Sequence, residues 1–236
     1  MIMAHYKSIA GLLAILLLPA CGPRRAPAAP NTCAGAPAQL RHTWNALQEI
    51  RGSAAGCTGD FAVRCDYLRS EIDRLGQNCQ TGGEALLASA ILAFDDRQLA
   101  KAQQYLDNLL SSQQPNPDAA VLRARVAIDE GNLPFALRFL AEHVRLRGDH
   151  AGLREVYASA LFLNGASSKA TEQLDAAQQL GAPVWRVEYG KGLIAEAANE
   201  VDEAVRHFTV AAKERPDWPL PAARLRALAT RSQKKD

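Results

Sequence analysis

Residues 185–218 read WRVEYGKGLIAEAANEVDEAVRHFTVAAKERPDW. The small and apolar positions of that stretch recur at one interval through the chain before it. Intervals of 34 residues lead from Ala204 to Ala170, Ala136 and Ala102. The same interval joins Gly192, Ala158, Ala124 and Ala90, then Phe208, Leu174, Leu140 and Leu106, then Ile194, Ala160, Val126 and Leu92. Asn199, Gly165 and Gly131 fall in phase as well, and Arg97 alone breaks that last set. Self-similarity at a fixed period of this length marks a chain built from stacked units.

Each column has a physical reading. A small residue in the first helix of a pair lets the second helix approach, and an alanine in the second allows the same from the other side. The large apolar column fills the seam. Gly or Asn at the end of the first helix takes the left-handed conformation that closes it. These residues resemble the tetratricopeptide repeat, a helix–turn–helix unit stacked into a right-handed superhelix. In the last unit Gly192, Ala195, Ala204, Phe208, Ala211 and Pro216 stand where that family's pattern has them. The family's early Trp is replaced by Leu86, Ala120, Arg154 and Glu188, and its closing Pro occurs in phase only as Pro216. The resemblance covers residues 83–218, divided into 83–116, 117–150, 151–184 and 185–218. It implies an all-α helical-hairpin solenoid.

Composition agrees. Of 236 residues 48% are hydrophobic, 22% charged and 6% aromatic, a foldable and not a disordered balance. The net charge of +2, from 27 basic and 25 acidic groups, excludes a polyanion-binding argument from bulk charge. No nucleic-acid partner is expected.

A repeat unit cannot bury its apolar face alone, so the array needs caps. Residues 33–82 supply the first. Leu40, Trp44, Leu47 and Ile50 have helical spacing, as do Phe61, Cys65, Leu68, Ile72 and Leu75. The glycine-rich segment 52–59 breaks them apart, with Asp60 as the expected N-cap. Four cysteines lie here, Cys33, Cys57, Cys65 and Cys79, and four allow three connectivities. Antiparallel packing of two helices joined by a short loop puts Cys33 beside Cys79 and leaves Cys57 near Cys65 at the other end. Pairs Cys33–Cys79 and Cys57–Cys65 are therefore expected. No Cys-x-x-Cys occurs, so neither a zinc site nor a redox pair is indicated. At the far end, Pro219 and Pro221 are read as stopping one helix. A short amphipathic capping helix follows within 219–236, with Arg224, Arg226 and Arg231 facing water and a basic tail at Lys234–Lys235.

The N-terminus reads as an address. Lys7 precedes an apolar run from Ile9 to Leu18, then Leu18-Pro19-Ala20-Cys21, the form of a secretory signal. The ending resembles the lipobox of bacterial lipoproteins, which implies removal of residues 1–20 and a lipid on Cys21. Gly22 in place of Asp implies, by the sorting rule of Gram-negative lipoproteins, the periplasmic face of the outer membrane. Residues 21–32 then form a tether. Pro23, Pro27 and Pro30 bias it to polyproline II.

The chemistry of a catalyst is missing. His-Glu-x-x-His, Gly-x-Ser-x-Gly and phosphate-loop patterns are all absent, and Ser-x-x-Lys occurs only as Ser232–Lys235 in the basic tail. His143 and His207 fall in second helices and read as seam or surface residues. The carboxylate pairs Asp95-Asp96 and Asp129-Glu130 at helix ends read as solvated. The chain is not expected to be an enzyme, nor to hold a cofactor, a metal or a small-molecule substrate. What remains is a groove. The resemblance implies that first helices line the concave face, so the inward stripe is expected at Leu87, Ile91, Phe94, Val121, Arg125, Ile128, Glu155, Phe162, Tyr189 and Leu193. The Lys and Asn residues with which some family members hold a peptide's terminal carboxylate are missing at the matching places. A helix or extended apolar segment of a protein partner is therefore expected there. A lipobox joined to helical repeats is similar to the pilotins of type IV and Tad pili. It is also similar to repeat lipoproteins of outer-membrane-protein assembly and of exopolysaccharide export. The expected role is an interaction scaffold or assembly factor. The alternative is a spacer or an accessory subunit of a periplasmic enzyme or polysaccharide-export complex.

Overall fold

The computed structural model describes residues 33, 35–53, 56–79, 83–111 and 115–233. The expected signal, Cys21, the tether and the terminal Lys234–Asp236 lie outside the described residues.

Every regular element among the described residues is helical. A cap hairpin of α1 (Ala36–Gly52) and α2 (Ala62–Asn78) precedes four helix pairs. These are α3 (Glu84–Asp95) with α4 (Leu99–Leu110), α5 (Pro117–Asp129) with α6 (Leu133–Leu146), α7 (Ala151–Leu163) with α8 (Ser167–Gln179), and α9 (Val184–Ala197) with α10 (Val201–Glu214). The last helix, α11, spans Pro219–Gln233. This is a tetratricopeptide-type solenoid. Helices of 12 to 17 residues are marginal alone in water, so the seams between them must hold the fold. Ala102, Ala136, Ala170 and Ala204 are buried without residual exposure, and Leu106, Leu140, Leu174 and Phe208 fill the space beside them.

The four turns within pairs are one structure repeated. At each, the residue after the helix cap has positive φ: Arg97 at 61°, Gly131 at 76°, Gly165 at 77° and Asn199 at 61°. The next amide donates to the carbonyl five residues back, as in Gln98 to Ala93, Asn132 to Ala127, Ala166 to Leu161 and Glu200 to Ala195. That pattern is the Schellman motif, which satisfies carbonyls the helix leaves open. Arg97 does not break the set in space. It takes the left-handed conformation despite its Cβ.

The cap hairpin is in register with the array. Residues 34 beyond Leu68 and Ile72 of α2 are Ala102 and Leu106 of α4. A polar contact to an aspartate recurs in phase with the repeat on α3, α5 and α9. Ser89 Oγ donates to Asp73 Oδ1 at 2.6 Å, Arg123 Nε to Asp107 Oδ1 at 2.8 Å, and Lys191 Nζ lies 2.6 Å from Asp175 Oδ1. In each case a first helix grips the preceding second helix across 16 residues. The hairpin thus acts as one further unit, clamped by Cys33–Cys79 (Cα–Cα 5.3 Å) at one end and Cys57–Cys65 (5.8 Å) at the other.

Four expectations are corrected. Asp60 does not cap α2. It lies in a 3-10 turn, Gly59–Phe61, through which the chain enters the helix without a side-chain cap. Pro219 and Pro221 do not stop a helix. α10 already ends at Glu214, and Pro219 opens α11 at the position where a missing N–H costs nothing. The carboxylates at helix ends are not merely solvated. Asp95 pairs with Arg51 (2.8 Å), Asp96 with Arg69 (2.6 Å) and Asp129 with Arg97 (2.6 Å), each arginine coming from an earlier helix or turn. Arg224 and Arg231 are exposed, yet both reach the same carboxylate, Glu196 of α9, at 3.4 and 3.1 Å.

Candidate functional site

First helices pack on one another, α3 on α5, α5 on α7 and α7 on α9, while second helices pack against the first helices beside them. That arrangement makes the first helices the inner wall of the solenoid.

Leu87, Ile91 and Phe94 of α3 are half-buried against the seam of the first pair. Val121 and Ile128 of α5 are half-buried against the next, and Phe162 of α7 against the third. Each is anchored below and open above. Arg125, between Val121 and Ile128, is exposed. At the C-terminal end the arrangement changes. Tyr189 packs against Phe208 and Trp218, with centroids 5.5 and 4.6 Å away, and Leu193 packs with Leu225 over the buried Leu228. Apart from Arg125 and Glu155, the wall is therefore aliphatic and aromatic over α3–α7, and it is closed by an aromatic cluster at α9. Trp185 completes that cluster, edge-on to Trp218 at 4.8 Å with the Arg215 guanidinium 4.8 Å above its ring. Trp185 and Trp218 were outside the expected stripe, because neither column has an aromatic counterpart one period earlier.

Glu155 of α7 sits in the middle of this wall, its side chain 15% exposed. Arg186 Nε of α9 approaches its Oε1 to 3.0 Å without completing a hydrogen bond to that atom. Burial holds the Glu155 carboxyl above its ordinary range, outweighing the opposing pull of Arg186, Arg125 and His150.

The histidines are structural in their surroundings. His207 Nδ1 lies 2.7 Å from Glu188 Oε2 in the α9–α10 seam, with both side chains 12% exposed. Arg154 meets Gln173 at 3.0 Å in the same relation, 19 residues apart. These pairs occupy the place of the family's early Trp, so polar contacts replace an aromatic one there. His143 lies tilted against Phe139, ring centroids 4.0 Å apart. His150 accepts the Leu153 amide and so caps α7. Among the described residues no cluster of three or more His, Cys, Asp or Glu has metal-binding geometry, and no helix is long and apolar enough to cross a membrane.

No family model matches the sequence, and no curated protein matches it. Solved structures do match. A thermophilic TPR protein from Thermus thermophilus superposes with a TM-score of 0.65 at 16% identity, over 81% of this chain and 99% of that one. A tetratricopeptide repeat protein from Parabacteroides merdae gives 0.58 at 13% identity, over 84% and 74%. YrrB, described as a TPR protein with an unusual peptide-binding site, gives 0.50 at 16% identity, over 78% and 97%. At these identities the likeness is one of fold.

Proposed function

We propose that the chain is a lipid-anchored interaction scaffold that holds a segment of a protein partner along its inner wall. The observation that carries the reading is the row Leu87, Ile91, Phe94, Val121, Ile128 and Phe162, half-buried on three successive first helices. Apolar side chains fixed from beneath and open above form a ready surface for a helix or an extended segment, which loses little by ordering on a rigid wall. YrrB, of the same fold, is described as having a peptide-binding site, which supports this use of the architecture. The sequence Leu18-Pro19-Ala20-Cys21-Gly22 supports lipid attachment at Cys21 and residence on the periplasmic face of the outer membrane. Two disulfides suit that oxidising compartment. Service to an envelope machine, such as a pilus, a secretion apparatus or outer-membrane assembly, is the role this combination favours.

Photocrosslinking in intact cells tests the wall. A photoreactive residue at Phe94 or Ile128 is expected to give a discrete adduct that one at the outward-facing Glu142 does not. Equal labelling from both faces rejects the groove. Cys21→Ser is expected to move the protein from the membrane to the soluble periplasmic fraction, and unchanged membrane retention rejects the anchor.

A further inference from the structure

The charges on the inner helices are almost all taken. Every charged side chain on α5, α7 and α9 other than Arg125 has a polar side-chain neighbour within 3.4 Å among the described residues. Asp118 lies 3.3 Å from His150, Glu155 lies 3.0 Å from Arg186, and Glu196 holds Arg224 and Arg231. Arg125 is exposed and makes no such contact among the described residues. Val121 and Ile128 flank it on α5, Ile91 holds the corresponding place one period earlier on α3, and Ser159 holds it one period later on α7. The Glu155 carboxylate feels the Arg125 charge, but its close contact is with Arg186.

A guanidinium without a close partner, beside apolar side chains on α3 and α5, is a specific demand. In water it is solvated. Once an apolar segment covers the wall, that solvent is displaced and the charge is left in a medium of low effective dielectric, where an unmet charge is costly and a met one is strong. Arginine presents a planar fork that a carboxylate fills with two parallel hydrogen bonds. We propose that the occupant of the groove is a protein segment with an Asp or Glu set between apolar residues. Its carboxylate docks on Arg125, and its apolar side chains rest on Ile91 and Phe94 to one side and Ile128 and Phe162 to the other. This rests on the groove reading above and adds the charge of the ligand to it.

The full chain, solubilised in detergent and immobilised, can be panned against a random-peptide display library in parallel with Arg125→Glu and Ile128→Asp. Circular dichroism checks that both variants keep the helical fold. Wild type is expected to enrich peptides with an acidic residue flanked by apolar ones. These should bind Arg125→Glu about tenfold or more weakly, which corresponds to about 1.4 kcal/mol, and that variant should enrich Lys or Arg at the same place. Ile128→Asp should retain none of them. If the enriched peptides lack the acid, or bind Arg125→Glu as well as wild type, the charge inference falls while the groove stands. Failure to enrich any peptide, or equal binding by Ile128→Asp, brings down both.

Discussion

The ring of Phe208 lies so close to Gly192 that a Cβ on the glycine would stand 2.6 Å from Phe208 Cε1. In the three earlier units the same two columns hold Ala with Leu: Ala90 with Leu106, Ala124 with Leu140, and Ala158 with Leu174. The fourth unit has moved volume from one helix to the other and kept the seam full. Cores accept such exchanges when total volume is conserved.

That exchange predicts a coupling. Gly192→Ala should destabilise the protein by about 1–3 kcal/mol through overpacking, and Phe208→Leu should cost a comparable amount by leaving a void. The double variant recreates the Ala–Leu seam of the other units and should recover most of the loss. Denaturant titrations of the three proteins read this directly. Additive losses in the double variant refute it.

Arg97 occupies a left-handed turn where the other units have Gly or Asn. That conformation costs a residue with a Cβ about 1–2 kcal/mol. The Arg97–Asp129 pair offsets little, because the arginine is 68% exposed. Arg97→Gly should therefore raise stability by about 0.5–1 kcal/mol. A lower melting temperature would mean that the ion pair outweighs the backbone.

The two disulfides close loops of very different size, with sequence separations of 46 and 8. By the chain-entropy argument the first restricts the unfolded chain by about 4 kcal/mol and the second by about 2.5. Replacing Cys33 and Cys79 together by Ser should lower the unfolding midpoint more than replacing Cys57 and Cys65. The reverse order would place the stabilisation in native-state contacts of the 57–65 loop.

Glu155 gives stability a pH dependence. Its carboxyl binds a proton more tightly when folded than its ordinary value of 4.5. Protonation therefore favours the folded state. The contribution is complete below 4.5 and is lost as pH rises through the higher folded value. Glu155→Gln imitates the neutral form. It should melt above wild type at pH 7, and the gap should close as pH falls toward 4. No gain at pH 7 would mean that Arg186 and Arg125 together outweigh burial.

Much of this molecule was legible in its residues. The columns through Ala204, Phe208, Gly192 and Asn199 carry a helix-pair period because close approach and helix closure each demand a residue type, and those demands repeat with every unit. The order of cysteines along two antiparallel helices likewise puts Cys33 and Cys79 together. Pairings between units were not legible. Asp73 to Ser89, Arg97 to Asp129 and Arg224 to Glu196 join helices whose relative placement is set by stacking, and a charged residue near a helix end looks the same in sequence whether it meets water or an arginine. The same holds for the wall. The family resemblance implies that Arg125 and Glu155 face inward, but only the packing of α5, α7 and α9 decides that Arg186 takes the glutamate and leaves the arginine without a close partner.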